Sequence, residues 1–265
     1  MNSSPSNAAQ NVQNSDLFEK AARVGHFVSG LLHILIGYIA IRLAFGESGN
    51  ADQSGALGTL ADQPGGRIAL WIAVVAFVAL ALWRIVEAIV GKKSDQDSGS
   101  AMDRLKAGAL AVVYIVFAWT TFRFASGSGQ SSGQQNASMT AKLLENGAGK
   151  FALIVVGLVI IGVGGYHVYK GVSKNFLDDL EGHTGKTVEH LGLIGYVAKG
   201  IALVGVGALV IGAVFTSDPS KATGLDGAIK TLGAQPFGQI LLILAGVGIA
   251  LYGIYSFVLA RHARM

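Results

Sequence analysis

Residues 193–215 read LIGYVAKGIALVGVGALVIGAVF, an apolar run interrupted by a single charged residue, Lys199. A helix needs roughly 20 mostly apolar residues to cross the hydrocarbon core of a bilayer, and this run has that length. A soluble amphipathic helix would show polar residues every three or four positions, and this run shows no such stripe. Buried β-strands are usually only about 3–10 residues long. The stretch therefore predicts a membrane-spanning helix.

Five further segments of the chain share this length and apolar character. The whole sequence is 51% apolar and only 14% charged, whereas soluble domains carry about 25% charged residues. We therefore expect an all-α integral membrane protein with six transmembrane helices. The six predicted spans are Val24–Phe45, Arg67–Val90, Lys106–Ala125, Lys150–Lys170, Leu193–Phe215 and Phe237–Ala260.

The spans are organised as an internal repeat. Residues 23–90, 104–171 and 193–260 each read as an apolar helix, a polar Gly/Ser-containing loop and a second apolar helix. Recurrence of one supersecondary unit is the signature of a repeat architecture. The pattern predicts three parallel two-helix hairpins in a pseudo-threefold arrangement. The expected boundaries are a disordered cytoplasmic tail at 1–16 and repeats at 17–93, 99–175 and 187–265.

The basic residues indicate an orientation. Most of the 20 Lys and Arg residues fall on the side of the membrane that holds the N-terminus. Because cytoplasmic loops carry an excess of Lys and Arg, both termini are expected to be cytoplasmic. The outer loops are then 46–66, 126–149 and 216–236, and each ends in a short segment with apolar residues at helical spacing. These segments predict one or two helical turns, either a lid over a site or a connector seated on the surface.

Glycines recur at seven-residue spacing within several spans. Seven residues are nearly two helical turns, so each pair marks one face of its helix. Small residues allow close approach of helix backbones in membranes, so these positions are predicted to be packing faces, although a role as hinges is the alternative. The six predicted packing positions are Gly30, Gly37, Gly200, Gly207, Gly246 and Gly253.

Four ionisable residues at membrane depth are the candidates for a site. Arg84 and Glu87 lie three apart in the second span, His33 lies near the middle of the first, and His167 lies in the fourth. Ionisable residues within spans are functional hypotheses by default, and together they would suit a proton relay or an anion site. The alternative is that Arg84 snorkels to the headgroups, Glu87 pairs with it, and the histidines are satisfied by neighbouring helices.

The repeats assign counterparts to these candidates. His33 corresponds to Tyr114 and Leu203, so the histidine is not a repeated feature. The expected counterparts of Arg84 and Glu87 are His167 and Lys170 in the fourth span, and Gly253 and Ser256 in the sixth.

The sequence carries no signature of an enzyme. Cysteine is absent, and His183 and His190 lack the spacing of a zinc site. There is no Walker loop and no GxSxG motif. The basic residues are scattered and form no stripe that would bind nucleic acid. We therefore expect no enzymatic activity, no cofactor, no metal and no nucleic-acid partner.

Three copies of a short motif carry a resemblance to a known family. The segment Leu193–Gly200, followed by a Gly-rich apolar span, resembles the LGYAARG start of repeats in the DUF1206 family, and residues 22–30 of the first repeat are similar. The second repeat departs most, because residues 105–108 lack the Gly-aromatic pair. The even-span ends Trp83–Ala88, Tyr166–Gly171 and Tyr252–Ser256 are also similar to that family's repeat ends. The resemblance implies a bacterial inner-membrane protein of six spans and implies no activity.

These observations favour one function over another. The expected function is that of a non-enzymatic membrane component that associates with lipid or with protein. The alternative is a channel or transporter for a proton or small solute, with an inner-leaflet polar site at the repeat axis. The expected partners are the lipid bilayer and either a membrane protein or a second copy of the chain.

Overall fold

The structure, a computed structural model, describes residues 16–90, 101–182 and 185–264. Apart from Asp16, which begins the first described helix, the predicted tail at 1–16 lies outside these residues. Nine α-helices and two short 3₁₀ helices, Asn175–Asp179 and Pro219–Lys221, make up the described chain. The α-helices are α1 Asp16–Ala44, α2 Gln53–Ala61, α3 Gly66–Val90, α4 Ala101–Ala125, α5 Ser132–Leu144, α6 Gly147–Val172, α7 Lys186–Thr216, α8 Leu225–Gly233 and α9 Gly238–His262.

Six of these helices are long and apolar enough to cross a membrane: α1, α3, α4, α6, α7 and α9. The predicted all-α fold class with six spans is therefore confirmed. In the described ranges, extended pairing is limited to one isolated bridge between Leu180 and Ala263. Helix α7 begins at Lys186, before the predicted start at Leu193, because the intervening polar residues continue the helix beyond its apolar part.

A short helix lies in each of the three loops predicted to be outer: α2, α5 and α8. Two of the spans that follow these short helices start at a recognisable cap or turn. Asn146 caps α6, where its side-chain oxygen accepts a 2.8 Å hydrogen bond from the Gly149 N–H. Gly65 has φ +77° immediately before α3, a conformation that glycine adopts without steric cost. These turns redirect the chain into the following span.

The described helices belong to two compact units. The first unit contains α1 up to Val28 and residues 60–129, hence α3 and α4. Its core is a set of small and aromatic side chains on α3 that pack against α4. Phe77 is fully buried, and its ring lies 5.6 Å from that of Phe117 and 6.4 Å from that of Tyr114. The Gly25 position of α1 lies directly against the side chain of Leu80.

The second unit contains residues 29–59 and 130–264, and two pairs of its helices meet at glycines. In the α1–α9 pair, a Cβ added at Gly30 would lie 2.7 Å from the Gly253 carbonyl oxygen. One added at Gly246 would lie 2.7 Å from the Gly37 carbonyl oxygen. Real Cβ atoms do not approach so closely, so these positions admit only glycine without movement of a helix.

The α6–α7 pair repeats this arrangement. An added Cβ at Gly164 would lie 2.7 Å from the Gly200 carbonyl oxygen, and one at Gly207 would lie 2.6 Å from that of Gly157. Close backbone approach of this kind maximises van der Waals contact between helices in lipid, where no hydrophobic effect drives them together. Both helix pairs, α1–α9 and α6–α7, join helices from different repeats.

Candidate functional site

Arg84 and Glu87 lie in the first unit and form an ion pair one helical turn apart on α3. Glu87 is only 6% exposed, whereas the Arg84 side chain is partly accessible. Arg84 also lies within electrostatic range of His26 on α1. A buried carboxylate with a guanidinium partner is locally neutralised, which lowers the cost of its position at membrane depth.

His33 and His167 lie in the second unit, and both lie within electrostatic range of Lys199 on α7. The His33 Nδ1–H donates to the Ser29 carbonyl at 2.7 Å, and the His167 Nδ1–H donates to the Val163 carbonyl at 2.8 Å. A neutral imidazole with Nδ1 protonated presents Nε2 as an acceptor. In each histidine, Nε2 therefore makes no hydrogen bond to the helix that carries the ring.

Two tyrosines connect these groups. The Lys199 ammonium lies 4.0 Å from the ring centroid of Tyr252, within cation–π range. The His33 ring is 4.8 Å from that of Tyr252, and the His167 ring is 5.8 Å from that of Tyr196. The two tyrosine rings are 5.3 Å apart. We call these five residues the Lys199 pocket.

The four predicted site residues thus divide into two groups, each within its own unit: Arg84 with Glu87, and His33 with His167. Sequence reasoning missed Lys199, which counted only as a basic residue near a helix end. A signal was present, because Lys199 lies inside the apolar run and directly precedes a packing glycine. Among the described residues, Lys199 makes no hydrogen bond and no ion pair with a carboxylate.

The glycine contacts correct the repeat register of the sixth span. Gly30 and Gly200 are equivalent, so their partners Gly253 and Gly164 are equivalent too. The assignment of Gly253 and Ser256 to Arg84 and Glu87 is therefore wrong by three residues. In the corrected register Ser256, which is 2% exposed, is the counterpart of His167. The loops that precede α6 and α9, residues 126–146 and 217–237, have the same length, so one constant offset relates the second and third repeats throughout.

The motif at the start of the third repeat is explained by its contacts. Gly195 lies against the backbone of Tyr252, where an added Cβ would be 2.6 Å from its Cα. Tyr196 and Lys199 enter the pocket, and Gly200 packs on Gly164. The motif therefore supplies the two glycines through which α7 contacts α9 and α6. It also supplies two residues of the Lys199 pocket.

The loop after α6 packs on the same aromatic cluster. Phe176 is fully buried, its ring is 5.4 Å from that of Tyr196, and its carbonyl accepts a 3.0 Å hydrogen bond from the Tyr255 hydroxyl. The segment is tied to the end of α9, because the Glu181 N–H donates to the His262 carbonyl at 2.7 Å. The segment is therefore a plug packed between the ends of these helices.

A second polar cluster, also missed from the sequence, joins the loops at the other end of the second unit. Asp226 is 7% exposed and accepts hydrogen bonds from the Ala51 N–H at 2.8 Å and from Lys230 Nζ at 2.7 Å. The Ser54 hydroxyl oxygen accepts from the Ser132 N–H at 3.0 Å. These bonds connect segments of all three loops, which is more than a loose surface connector would provide.

Exposed acids in these loops are stabilised locally. The Ser220 hydroxyl and backbone N–H hold the pKa of Asp218 below its ordinary value, and the Arg42 guanidinium does the same for the pKa of Glu47. No group of three His, Asp or Glu side chains that could hold a metal ion occurs within residues 16–90, 101–182 and 185–264.

Comparison with known proteins agrees with the repeat. Residues 24–91, 105–174 and 194–263 each match the Domain of Unknown Function DUF1206. The chain is 28% identical over 255 residues to the uncharacterized protein YxxB of Bacillus subtilis (strain 168), covering 93% of this chain and 92% of that relative. No solved structure matches. With three matched segments spanning most of its length, the chain belongs to the DUF1206 family.

Proposed function

We propose that this membrane protein is a non-enzymatic, lipid-associating component of the bacterial cytoplasmic membrane, with both termini in the cytoplasm. Its spans present wide apolar surfaces, since between 17% and 44% of each span's most apolar window is buried within the protein. Phe151, Ile201 and Leu244 are among the large apolar side chains left exposed. Lipid tails are the solvent that such a surface fits.

One observation carries the choice of binding over transport: the polar groups reach only partway across the second unit. Beyond His33, residues 34–41 of α1 contain no acid, base or histidine, and neither do residues 151–165, 200–216 and 238–260. A proton or ion path needs polar groups or water across the whole hydrocarbon layer. A polar cluster confined to one half of the membrane suits a binding site rather than a continuous path.

The alternative, a proton or small-solute pathway, is favoured by a different observation. His33 and His167 each keep Nε2 free of their own helix, and both approach Lys199. Histidines within spans are recurrent members of intramembrane proton relays, so such a pair could pass protons.

Flux measurements separate the two functions. Purified protein is reconstituted into liposomes with a trapped pH indicator, a proton gradient is imposed, and decay is compared with that of protein-free liposomes. We expect equal decay rates. A protein-dependent flux that His33→Phe abolishes, and that His190→Phe at an exposed position outside the pocket leaves intact, would establish the transport alternative.

A further inference from the structure

We infer that the Lys199 pocket binds the anionic phosphate of a phospholipid headgroup from the cytoplasmic leaflet. This inference rests on the proposed lipid association and names the ligand class and its site. The argument has three steps, concerning charge, depth and access.

The charge of the pocket is uncompensated. Lys199 has no carboxylate partner among the described residues, whereas the nearby Lys170 is paired with Asp179 at 2.5 Å. An unpaired ammonium within a span is expensive unless an anion or water reaches it. The Tyr252 ring stabilises one face of the ammonium by cation–π attraction. Within residues 16–90, 101–182 and 185–264 no hydrogen-bond acceptor engages the Lys199 ammonium, so an external anion can bind it.

The depth of the pocket matches a phosphate. The helical rise of 1.5 Å per residue places Lys199 about 26 Å from the Thr216 end of α7. The same rise places His167 about 30 Å from the Gly147 end of α6. Because the hydrocarbon core is about 30 Å thick, both side chains lie near its opposite boundary, where phospholipid phosphates begin.

Access favours a lipid over free phosphate. Phe176 covers Tyr196 from the direction of the α6–α7 connection, and the segment that carries it is bound to the end of α9. By contrast, the surfaces of α6 and α7 beside the pocket expose apolar side chains, including Tyr169 and Ile194. A ligand with acyl chains can lie along this surface while its phosphate reaches Lys199.

The test measures lipid selectivity of the full-length protein. Protein in phosphatidylcholine nanodiscs receives a trace of spin-labelled phosphatidylglycerol, and the motionally restricted fraction is read by electron paramagnetic resonance. Lys199→Gln should lower the relative affinity for this lipid about fivefold, which corresponds to the electrostatic contribution of one basic residue near an anionic membrane surface. Lys199→Arg should retain it. Lys106→Gln removes a lysine about 29 Å from the Ala125 end of α4 and should leave the relative affinity unchanged.

Competition distinguishes the two sources of phosphate. Excess unlabelled phosphatidylglycerol should displace the probe, whereas inorganic phosphate at equal concentration should not; displacement by both would overturn the lipid assignment. Equal restriction of labelled phosphatidylcholine and phosphatidylglycerol by the wild type would overturn the inference even if Lys199→Gln failed to fold. Selective binding lost equally in both lysine-to-glutamine variants would also overturn it. If the protein shows neither lipid selectivity nor proton flux, only the Lys199 site is refuted. If the liposome experiment shows protein-dependent proton flux, the proposed function is refuted.

Discussion

Gly164 and Gly165 are adjacent in α6 and have opposite surroundings. A methyl group at Gly164 would meet the Gly200 carbonyl and the Val204 nitrogen, whereas nothing lies within 4 Å of one at Gly165. We expect Gly164→Ala to destabilise the protein by about 1–3 kcal/mol, because the α6 and α7 backbones must separate. Gly165→Ala should be neutral or stabilising by up to about 1 kcal/mol, because alanine is the better helix former.

Unfolding of the purified protein in mixed micelles, induced by SDS and followed by circular dichroism, measures both changes. Similar effects of the two substitutions would show that the α6–α7 contact does not depend on the glycine face.

At the residue scale, the sequence was informative about which residues were unusual and less so about their neighbours. His33 and His167 could be selected because imidazoles are rare in apolar runs. Their convergence on Lys199 depends on how three helices pack, which no periodicity encodes. Ser256 shows the same limit. Its equivalence to His167 became evident only from the contact between Gly253 and Gly30.

The plug between α6 and α7 depends on one aromatic side chain. Phe176→Ala would empty a fully buried site between Tyr196 and Tyr255. We expect a loss of about 3–5 kcal/mol of unfolding free energy. Phe215→Ala removes the same side chain from a 78% exposed position and should change stability by less than about 0.5 kcal/mol. Equal melting temperatures for the two variants would contradict the plug.

The loop helices are held together by a buried carboxylate. Asp226→Ala leaves the Ala51 N–H without its acceptor and Lys230 without its counter-ion, which should cost about 1–3 kcal/mol. Hydrogen–deuterium exchange should accelerate at residues 50–56 in particular. Asp218→Ala, whose bonds are confined to Ser220, is the matched control and should leave this segment protected. Unchanged exchange in Asp226→Ala would show that the loops are independent.

At the element scale, the long helices were predictable because apolar length alone requires them in a bilayer. The short helices α2, α5 and α8 could also be anticipated from leucine spacing before a Gly or Pro turn. The burial of Asp226 could not, because an aspartate in a polar loop is ordinarily solvated. Its partner, the Ala51 N–H, is far away in the sequence and belongs to another repeat.

The whole molecule has a definite topology in the proposed function, and the absence of cysteine makes it measurable. Single cysteines at exposed Ser128 and Ser173 lie on opposite sides of the predicted membrane. In intact cells, a membrane-impermeant maleimide should label Ser128→Cys directly, and Ser173→Cys only after permeabilisation. The reverse pattern would place the termini outside.

The contact between α1 and α9 can form only after α9 has been synthesised, long after α1. The glycine face of α1 meets α9, and Gly30 precedes its partner Gly253 by 223 residues. At about 5–20 residues per second, α1 waits on the order of 10–45 s in the bilayer before that face is covered. During that interval its small-residue surface is open to other nascent helices. A chaperone or insertase that shields α1 would therefore act on an intermediate defined by this single helix pair.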